Sequence, residues 1–491
     1  MKRIAVIGGG LAGLAGAISL AHRNLQVTLF EKNPLLGGKM SEIVFGGYRF
    51  DTGPSLLTMP FIIDDLFAAC GLDRQEYLNF IPVAPLCRYF FPDGSRYDAY
   101  AEPALRAEET RRFSPSQVEA IERFLAYSRR IYELTAETFI FNPIHELRTL
   151  LNRRNLSTLL HFRELDAFRT VHQAVSRFFN DGRLVQLFDR YPTYNGSDPF
   201  KAPATLNIIP HVEYNLGGYY IQGGMYRLVD ALHRIARDFG VEILLNTAGR
   251  KIEHRKGRIV GVQTDRGFIP VDAVLCNTDV VQAYNNLIDG FDGHRAKLNR
   301  LEPSISGIVF LWAVRGVHKE AAHHNIFFSQ DYRREFQQIF DDLVPPEDPT
   351  VYAAITSKTD ADHAPPNAEN WFVLVNAPYL AGQNWHEAVE HLRSTVLQKL
   401  ALHGFSLANK IQFEKVLTPV DFYERFGSNR GSIYGISSNS RYTAFLRPPN
   451  RSRQIRGLYF AGGSSHPGGG VPLVVQSGKI AAKLLIEDLT H

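Results

Sequence analysis

The first thirty residues carry two apolar runs, separated by a glycine-rich segment and an alanine-rich segment. Arg3–Ile7 has the length and apolar character of a buried strand, and residues 14–22 predict a helix. Residues 26–30 predict a second buried strand, which ends at Glu31. The segment between the first strand and the helix is Gly8-Gly9-Gly10-Leu11-Ala12-Gly13. The predicted order is therefore strand, glycine turn, helix and strand.

The rest of the chain continues to alternate between helix and strand patterns. Residues 102–180 are mainly helical in pattern, with residues 114–117 as a predicted N-terminal cap for a helix over 118–134. Further helices are predicted at residues 228–239 and 473–488. Predicted strands occupy residues 241–246, 251–254, 258–264, 271–276, 308–314, 351–356 and 371–375. This alternation predicts the α/β class.

Composition and charge exclude several classes of protein. The 491 residues are 45% hydrophobic and 21% charged, which is typical of a globular chain with a large core. A net charge of +4 is too small to indicate a nucleic-acid-binding protein. Cys70, Cys87 and Cys276 are far apart, so neither a disulfide framework nor a metal site is predicted and a reducing compartment is expected. No apolar run reaches the roughly 18 residues needed to cross a bilayer.

The N-terminal glycine segment has the spacing of a dinucleotide site. Gly8 permits a tight turn, Gly10 lets the backbone approach a pyrophosphate, and Gly13 lets the helix pack closely on the strand. Leu11 and Ala12 lie within the same segment and are further predicted cofactor contacts, and the N-terminus of the helix that follows would face the phosphates.

Glu31 stands where a ribose-binding carboxylate is expected after the second strand. It would accept hydrogen bonds from ribose hydroxyls and repel a 2′-phosphate, which favours an ADP-ribose unit without that phosphate. The sequence Lys2-Arg3 followed by an apolar run also resembles a secretory signal peptide. A signal peptide explains neither the second strand nor Glu31, so we favour the dinucleotide site.

A second glycine segment, Gly37-Gly38-Lys39, follows Glu31 closely, and Gly53-Pro54-Ser55 comes soon after. With these motifs the sequence resembles the flavoprotein amine oxidase and phytoene desaturase superfamily. The resemblance implies FAD as the cofactor. It assigns further cofactor contacts to Lys32, Gly38, Lys39, Gly53, Pro54 and Ser55. It also implies that the strands over 241–276 return to the first sheet and hold the adenine end, where Gly249 provides a backbone contact.

The segment from Gly457 to Pro472 combines a strand, a glycine pair, a His-Pro-Gly run and the start of a helix. This arrangement resembles the C-terminus of bacterial carotenoid desaturases. The resemblance implies cofactor contacts at Gly462, Gly463, Gly470, Val471 and Pro472. A helix N-terminus beside the isoalloxazine ring would stabilise negative charge on reduced flavin. Residues 194–197, 325–328 and 370–372 resemble hydroxycarotenoid 3,4-desaturases in particular.

The family resemblance implies desaturation of a long carotenoid polyene by hydride transfer to flavin N5. His466 and Arg129 are the polar candidates for acid–base or positioning roles. The alternatives for these two residues are a loop histidine that shapes the FAD turn and an arginine on a helix surface. Alternative functions are an amine oxidase or protoporphyrinogen-oxidase-like enzyme, a carotenoid isomerase or oxygenase, and a non-catalytic isoprenoid-binding protein.

The implied architecture is a flavoprotein with a Rossmann-like FAD domain and an inserted α+β substrate domain. Residues 1–100, 201–290 and 441–491 are assigned to the FAD domain, 101–200 to a helical subdomain and 291–440 to the substrate domain. Residues 144–180 interleave leucine and phenylalanine with arginine, including Arg153 and Arg154, as in helices that lie on a lipid surface. A solvated helix over a soluble core is the alternative. The expected location is the inner face of the cytoplasmic membrane, with a carotenoid as the partner.

Overall fold

The computed structural model describes residues 1–146 and 162–490. Its strands are β1 (Arg3–Ile7), β2 (Gln26–Phe30), β3 (Glu42–Phe45), β4 (Tyr48–Asp51), β5 (Phe80–Pro82), β6 (Cys87–Phe90), β7 (Arg96–Ala99), β8 (Tyr219–Ile221), β9 (Glu242–Leu244), β10 (Gly249–Arg255), β11 (Arg258–Thr264), β12 (Gly267–Pro270), β13 (Ala273–Cys276), β14 (Ser306–Arg315), β15 (His324–Phe327), β16 (Val351–Ile355), β17 (Ala368–Ala377), β18 (Ile411–Leu417) and β19 (Leu458–Phe460).

The described α-helices are α1 (Leu11–Ala21), α2 (Phe61–Ala69), α3 (Pro103–Phe113), α4 (Val118–Phe139), α5 (Val171–Val175), α6 (Gly182–Asp189), α7 (Ile208–Tyr214), α8 (Arg227–Asp238), α9 (Val280–Asn286), α10 (Asp292–Asn299), α11 (Tyr332–Gln337), α12 (Trp385–Leu402), α13 (Pro419–Phe426), α14 (Arg441–Phe445) and α15 (Val471–Thr490). Within the described ranges, no helix is both long and apolar enough to cross a membrane.

A five-stranded parallel sheet, in the order β19-β13-β1-β2-β9, forms the first layer. Side chains of β1 alternate between its two faces. Ile4 and Val6 face the core that contains α1, α8 and α15, whereas Ala5 and Ile7 face a second core. Both faces are buried, which explains why β1 and β2 read as continuous apolar runs. The predicted strands at 3–7 and 26–30 are confirmed.

The strands predicted at residues 251–254 and 258–264 form a hairpin, but it does not join the parallel sheet. Strands β10 and β11 pair antiparallel, and β12 completes a separate three-stranded sheet. The inward side chains of Ile252, Ile259 and Val262 pack in the same core as Ala5 and Ile7. The hairpin therefore covers a face of the parallel sheet. The expectation that all strands over 241–276 return to the first sheet is correct for β9 and β13 and wrong for β10 and β11.

A seven-stranded mixed sheet, in the order β18-β14-β17-β16-β15-β6-β7, forms the second layer. Strand β14 is buried on both faces, with Phe310 and Trp312 packed toward α12 and Val309 and Leu311 on the opposite side. Strands β6 and β7 come from the first 100 residues, and β6 pairs with β15. The predicted boundary near residue 100 is therefore wrong, because residues 87–99 extend the sheet of the substrate side.

Helices α3 to α7 cover the open end of the seven-stranded sheet. Phe124 of α4 packs against Phe188 of α6 and against Phe178 and Phe179, with ring centroids 4.6 to 5.3 Å apart. This cluster shares a core with Tyr89 of β6. Helix α4 begins at the predicted residue and runs five residues beyond the predicted end at residue 134, to Phe139. The layer therefore closes one side of the space between the two sheets.

Candidate active site

A cavity of about 880 Å³ opens at the carboxyl edge of the parallel sheet and continues beneath the seven-stranded sheet. Strands β1, β2, β13 and β19 lead directly into Gly8, Glu31, Asn277 and Ala461, and all four of these residues line the cavity. Parallel sheets bind their ligands at this edge.

Seventeen of the predicted cofactor contacts line this cavity. They are Gly8, Gly10, Leu11, Ala12, Glu31, Lys32, Gly38, Lys39, Gly53, Pro54, Ser55, Gly249, Gly462, Gly463, Gly470, Val471 and Pro472. Gly13 is the exception, because it lies behind the turn. A Cβ atom at Gly13 would stand 2.1 Å from the carbonyl oxygen of Gly8, so only glycine lets α1 approach β1 this closely.

The turn between β1 and α1 presents backbone to the cavity. Gly8 has a φ of +97°, which side-chain-bearing residues rarely adopt. Gly10 is the N-cap residue of α1 and makes no side-chain cap, so the first amide groups of the helix have no side-chain partner. These amides and the helix dipole favour an anionic group such as a pyrophosphate.

The Glu31 carboxylate is buried and held at the end of β2 by donors around it. Its Oε2 accepts a hydrogen bond from the backbone N–H of Gly9 at 2.8 Å. Its Oε1 accepts from the backbone and side-chain N–H groups of Asn33 at 2.8 and 2.9 Å. A carboxylate has about four acceptor positions, so lone pairs remain for hydroxyl donors on the cavity side. This geometry fits a ribose.

Lys39 places a cation on the cavity wall. Its Nζ donates to the backbone carbonyls of Ser432 at 3.2 Å and Ile433 at 2.5 Å, not to a carboxylate. Burial lowers the pKa of Lys39 to about 8, and the nearby Asp279 carboxylate offsets part of this effect. An anion in the cavity would restore the charged form, which fits a phosphate-bearing cofactor.

The C-terminal glycine segment meets the N-terminal one through Asn277. The Asn277 amide lies 3.4 Å from the carbonyl oxygen of Gly8, and a Cβ atom at Gly462 would stand 2.9 Å from its Oδ1. Gly470 has a φ of +111° with open space beside it, and α15 begins at the next residue. Two helix N-termini, those of α1 and α15, therefore border one cavity. The donor set fits FAD, with the pyrophosphate at α1 and the flavin ring toward α15.

Beyond the glycine segments the cavity becomes mainly apolar. Its walls there carry aliphatic and aromatic side chains from both sheets and from the helical layer: Leu56, Leu86, Phe139, Ile140, Leu206, Ile208, Ile209, Val212, Ile305, Val309, Ile326, Phe372, Leu374 and Phe445. Such walls exclude water and favour a long hydrocarbon.

A buried ion pair borders the apolar part. Arg190 lines the cavity, and its guanidinium donates to Glu213 at 3.1 Å and to the Tyr89 hydroxyl. Tyr191 and Tyr194 also donate to Glu213. The Arg190 guanidinium stacks over the Tyr191 ring at 4.4 Å. The pair is almost fully buried and shares its hydrogen bonds with three hydroxyl groups, as a stable buried pair requires.

Comparison with known proteins identifies the family. Residues 11–486 match the family described as flavin containing amine oxidoreductase. The chain belongs to this family. A 1-hydroxycarotenoid 3,4-desaturase from Flavobacterium sp. (strain P99-3) is 38% identical, over 99% of this chain and 99% of its own. A 4,4′-diapolycopene oxygenase from Methylomonas sp is 36% identical over the same shares.

The chain also shares its fold with solved structures. An oxidoreductase from Methanosarcina mazei superposes with a TM-score of 0.64 at 16% identity, covering 98% of this chain and 100% of that one. The predicted family, the two-part flavoprotein fold and FAD as the cofactor are confirmed. The predicted oxidoreductase activity is confirmed with them.

His466 does not have the position predicted for an acid–base group. It is buried outside the cavity lining, and its Nε2 lies 2.8 Å from the carbonyl oxygen of Asn142. Burial lowers the pKa of His466 to about 4, so the ring is neutral at physiological pH. His466 therefore joins the C-terminal loop to the end of α4, and its predicted catalytic role is corrected to a structural one.

Arg129 lies on the solvent face of α4. Its side chain is 61% exposed, forms an i,i+4 pair with Glu133 at 3.8 Å, and does not line the cavity. The amphipathic pattern of α4 explains this, because Phe124, Leu125 and Ser128 take the buried face. The predicted acid–base or positioning role of Arg129 is corrected, and the alternative of an arginine on a helix surface fits its place.

Several cavity residues escaped the sequence motifs. Asn277 could have been found, because it directly follows a predicted buried strand of the parallel sheet. No motif or predicted strand end in the sequence indicates Arg447. It is buried beside the C-terminal loop and donates to the Gly463 carbonyl at 3.1 Å. Arg190 and His324 lie on separate elements and meet only in the folded chain.

Proposed function

We propose that this protein desaturates a long carotenoid polyene and uses FAD as the oxidant. The observation that carries the proposal is one continuous cavity, which begins at the dinucleotide motif and continues between apolar walls under the seven-stranded sheet. The cavity is large for a ligand site, as FAD and part of a long hydrocarbon require. Relatives named for carotenoid desaturation and oxygenation support the same substrate class.

FAD, when bound, would supply the two-electron oxidant for this reaction. Desaturation removes a hydride from one substrate carbon and a proton from its neighbour, so that two C–H bonds break and one C=C bond forms. The chain itself holds and shields the reactants. Glycine turns and Lys39 bind the anionic part of the cofactor, and the N-terminus of α15 stabilises negative charge near Gly470. Apolar walls exclude water from the developing allylic cation. Conjugation spreads that positive charge, so positioning carries most of the catalysis.

The walls also weigh against the alternatives. An amine substrate needs polar or ionic partners, whereas the far part of the cavity is mainly aliphatic and aromatic. The dinucleotide site is intact at Glu31 and Lys39, which argues against a binder without a redox cofactor. Oxygenation of a carotenoid is the second candidate, because relatives at 36% and 34% identity carry that name.

The pigments of a non-carotenogenic bacterium test the proposal. The host receives a pathway to phytoene, or to a hydroxylated carotene, with and without this chain. We expect a red-shifted polyene from one of the two substrates, and oxygenated products instead if oxygenation is the activity. FAD-loaded protein that leaves both pigments unchanged would refute the proposal. An inactive Gly13→Val variant supplies the control for background conversion.

We also infer that the protein docks on a membrane to collect its water-insoluble substrate. The segment predicted for this role is 144–180, of which 147–161, including Arg153 and Arg154, lies outside the described residues. Phe168, in the described part of the segment, is exposed, as are Tyr442 and Leu446, and the Arg441 guanidinium lies 5.0 Å from the Phe168 ring. This mixture of arginine and exposed aromatic and aliphatic groups suits a lipid interface.

The same surface lies beside the cavity. Ala444 and Phe445 of α14 line the cavity, and Phe445 packs against Phe139 of α4 at 5.3 Å. A carotenoid could therefore pass from lipid to cavity without crossing water. This arrangement, together with three free buried cysteines, supports a peripheral position on the inner face of the cytoplasmic membrane.

Co-sedimentation with anionic liposomes tests the docking surface. We expect Tyr442→Ser with Leu446→Ser to lower the membrane-bound fraction. Leu402→Ser is the matched control, because Leu402 is also an exposed leucine but lies at the end of α12. Equal liposome binding by both variants and the unmodified protein would refute the proposal that this surface docks on the membrane.

A further inference from the structure

Three described residues that line the cavity have a buried polar atom without a hydrogen-bond partner: Asn195, Ser428 and His324, of which His324 carries an imidazole nitrogen. His324 begins β15, is 2% exposed and lines the cavity. Its Nδ1 lies 2.8 Å from the Tyr352 hydroxyl, which in turn lies 2.5 Å from the Ser55 hydroxyl. Its Nε2 is buried and has no hydrogen-bond partner among the described residues. Buried polar atoms are nearly always paired, so this nitrogen points to a missing ligand group.

The surroundings keep this imidazole neutral. Burial lowers the pKa of His324 well below its usual value, and the neighbouring His323 and Arg190 act in the same direction. A second cation is therefore disfavoured at this point. The Arg190 guanidinium is already paired with Glu213, so it does not attract an anionic ligand. The ligand group that fits is thus uncharged.

A hydroxyl group meets this requirement better than other neutral groups. Tyr352 and Ser55 can each donate or accept, so the hydrogen on His324 can stand on either ring nitrogen. A hydroxyl can accept from an Nε2–H or donate to a bare Nε2, whereas a ketone can only accept. Ile326 and Leu374, also on the cavity wall, leave apolar surface for the hydrocarbon around it.

We propose that His324 Nε2 binds the hydroxyl of a carotenoid that carries one at its end group, and that the cavity therefore selects hydroxylated over unmodified hydrocarbon substrates. This inference rests on the proposed desaturation and names its substrate class. His324 acts as a specificity residue, since it binds the end group of the substrate. A site built around a hydroxyl rejects the analogue that lacks it, because its polar group is then left unpaired.

The test compares two substrates in the FAD-loaded protein. Purified protein in liposomes receives an acyclic carotene with a terminal hydroxyl, or the parent hydrocarbon, and kcat/KM is measured for each. Binding is followed separately by the absorption shift of the pigment. We expect the unmodified protein to favour the hydroxylated substrate, and His324→Phe to lower the ratio of the two kcat/KM values about tenfold or more. His324→Asn keeps a hydrogen-bonding group and should recover part of the ratio.

His323→Phe is the matched control. Its ring is also buried and also has an unpartnered Nε2, but it lies outside the cavity lining. We expect this variant to keep the substrate ratio. A ratio that is the same in unmodified protein, His324→Phe and His323→Phe would overturn the inference and assign the nitrogen to a bound water. Conversion of neither substrate by FAD-loaded unmodified protein would instead refute the desaturase proposal itself.

Discussion

The buried pair of Arg190 and Glu213 makes a sharp prediction about stability. Glu213 is 1% exposed in its side chain and accepts hydrogen bonds from Arg190, Tyr191 and Tyr194. Glu213→Gln keeps the shape but leaves the guanidinium without an opposite charge. Breaking a buried pair in this way costs about 3–5 kcal/mol of folding free energy. The unfolding entropy of a chain of this size is about 1 kcal/mol/K, so Tm should fall by about 3–5 °C.

Thermal unfolding of the FAD-saturated protein, followed by far-ultraviolet circular dichroism, measures the shift. Glu133→Gln is the matched control, because Glu133 pairs with Arg129 at 3.8 Å on an exposed helix face. Exposed pairs of this kind contribute about 0.5 kcal/mol or less, so Tm should stay within about 0.5 °C. Equal shifts in Tm for the two variants would refute the reasoning that burial determines how much the Arg190–Glu213 pair contributes to the folding free energy.

Three further predictions concern the cofactor and the corrected residues. Gly13→Val should abolish FAD binding, because its Cβ would stand 2.1 Å from the Gly8 carbonyl; Gly293→Ala, whose Cβ meets nothing within 4 Å, should retain the visible flavin spectrum. Burial lowers the pKa of Lys39 to about 8, so above this pH the side chain loses the charge that attracts the pyrophosphate. FAD affinity should therefore fall as the pH rises above about 8, by up to about tenfold per pH unit. Lys39→Met should bind FAD more weakly and without this pH dependence, and a slope that persists would assign it to another group. His466→Ala and Arg129→Ala should each retain turnover in liposomes when FAD is bound, since neither His466 nor Arg129 lines the cavity. Loss of turnover in either variant would show that the replaced residue takes part in the reaction.

Local patterns predicted the cofactor end of the molecule well. The strand, glycine turn and helix around Gly8 and Gly13 depend on residues within one short segment, so their spacing alone specifies the geometry. The hairpin of β10 and β11 was equally local, but its packing was not. The inward side chains of Ile252 and Val262 require an apolar neighbour without indicating whether it is an edge or a face of the sheet.

The substrate end depends on contacts between distant segments. Arg190, Glu213 and His324 come from three different elements, and no short motif relates them. The position of His466 was predicted wrongly for a related reason. It lies within a glycine-rich motif that borders the cofactor site, but the backbone there sends its ring to the Asn142 carbonyl. A sequence motif predicts where a backbone segment lies, but the direction of each side chain depends on the rest of the fold.

The order of strands in the parallel sheet has a consequence for synthesis on the ribosome. β1 and β2 emerge early, whereas β19, at the opposite edge, emerges after almost the whole chain has been made. At usual elongation rates this delay is roughly half a minute. Until then β13 has an unpaired edge and α1 lacks the packing surface of α15. FAD can therefore be enclosed only after β19 and α15 have been made, so a newly made molecule that holds flavin already contains both elements.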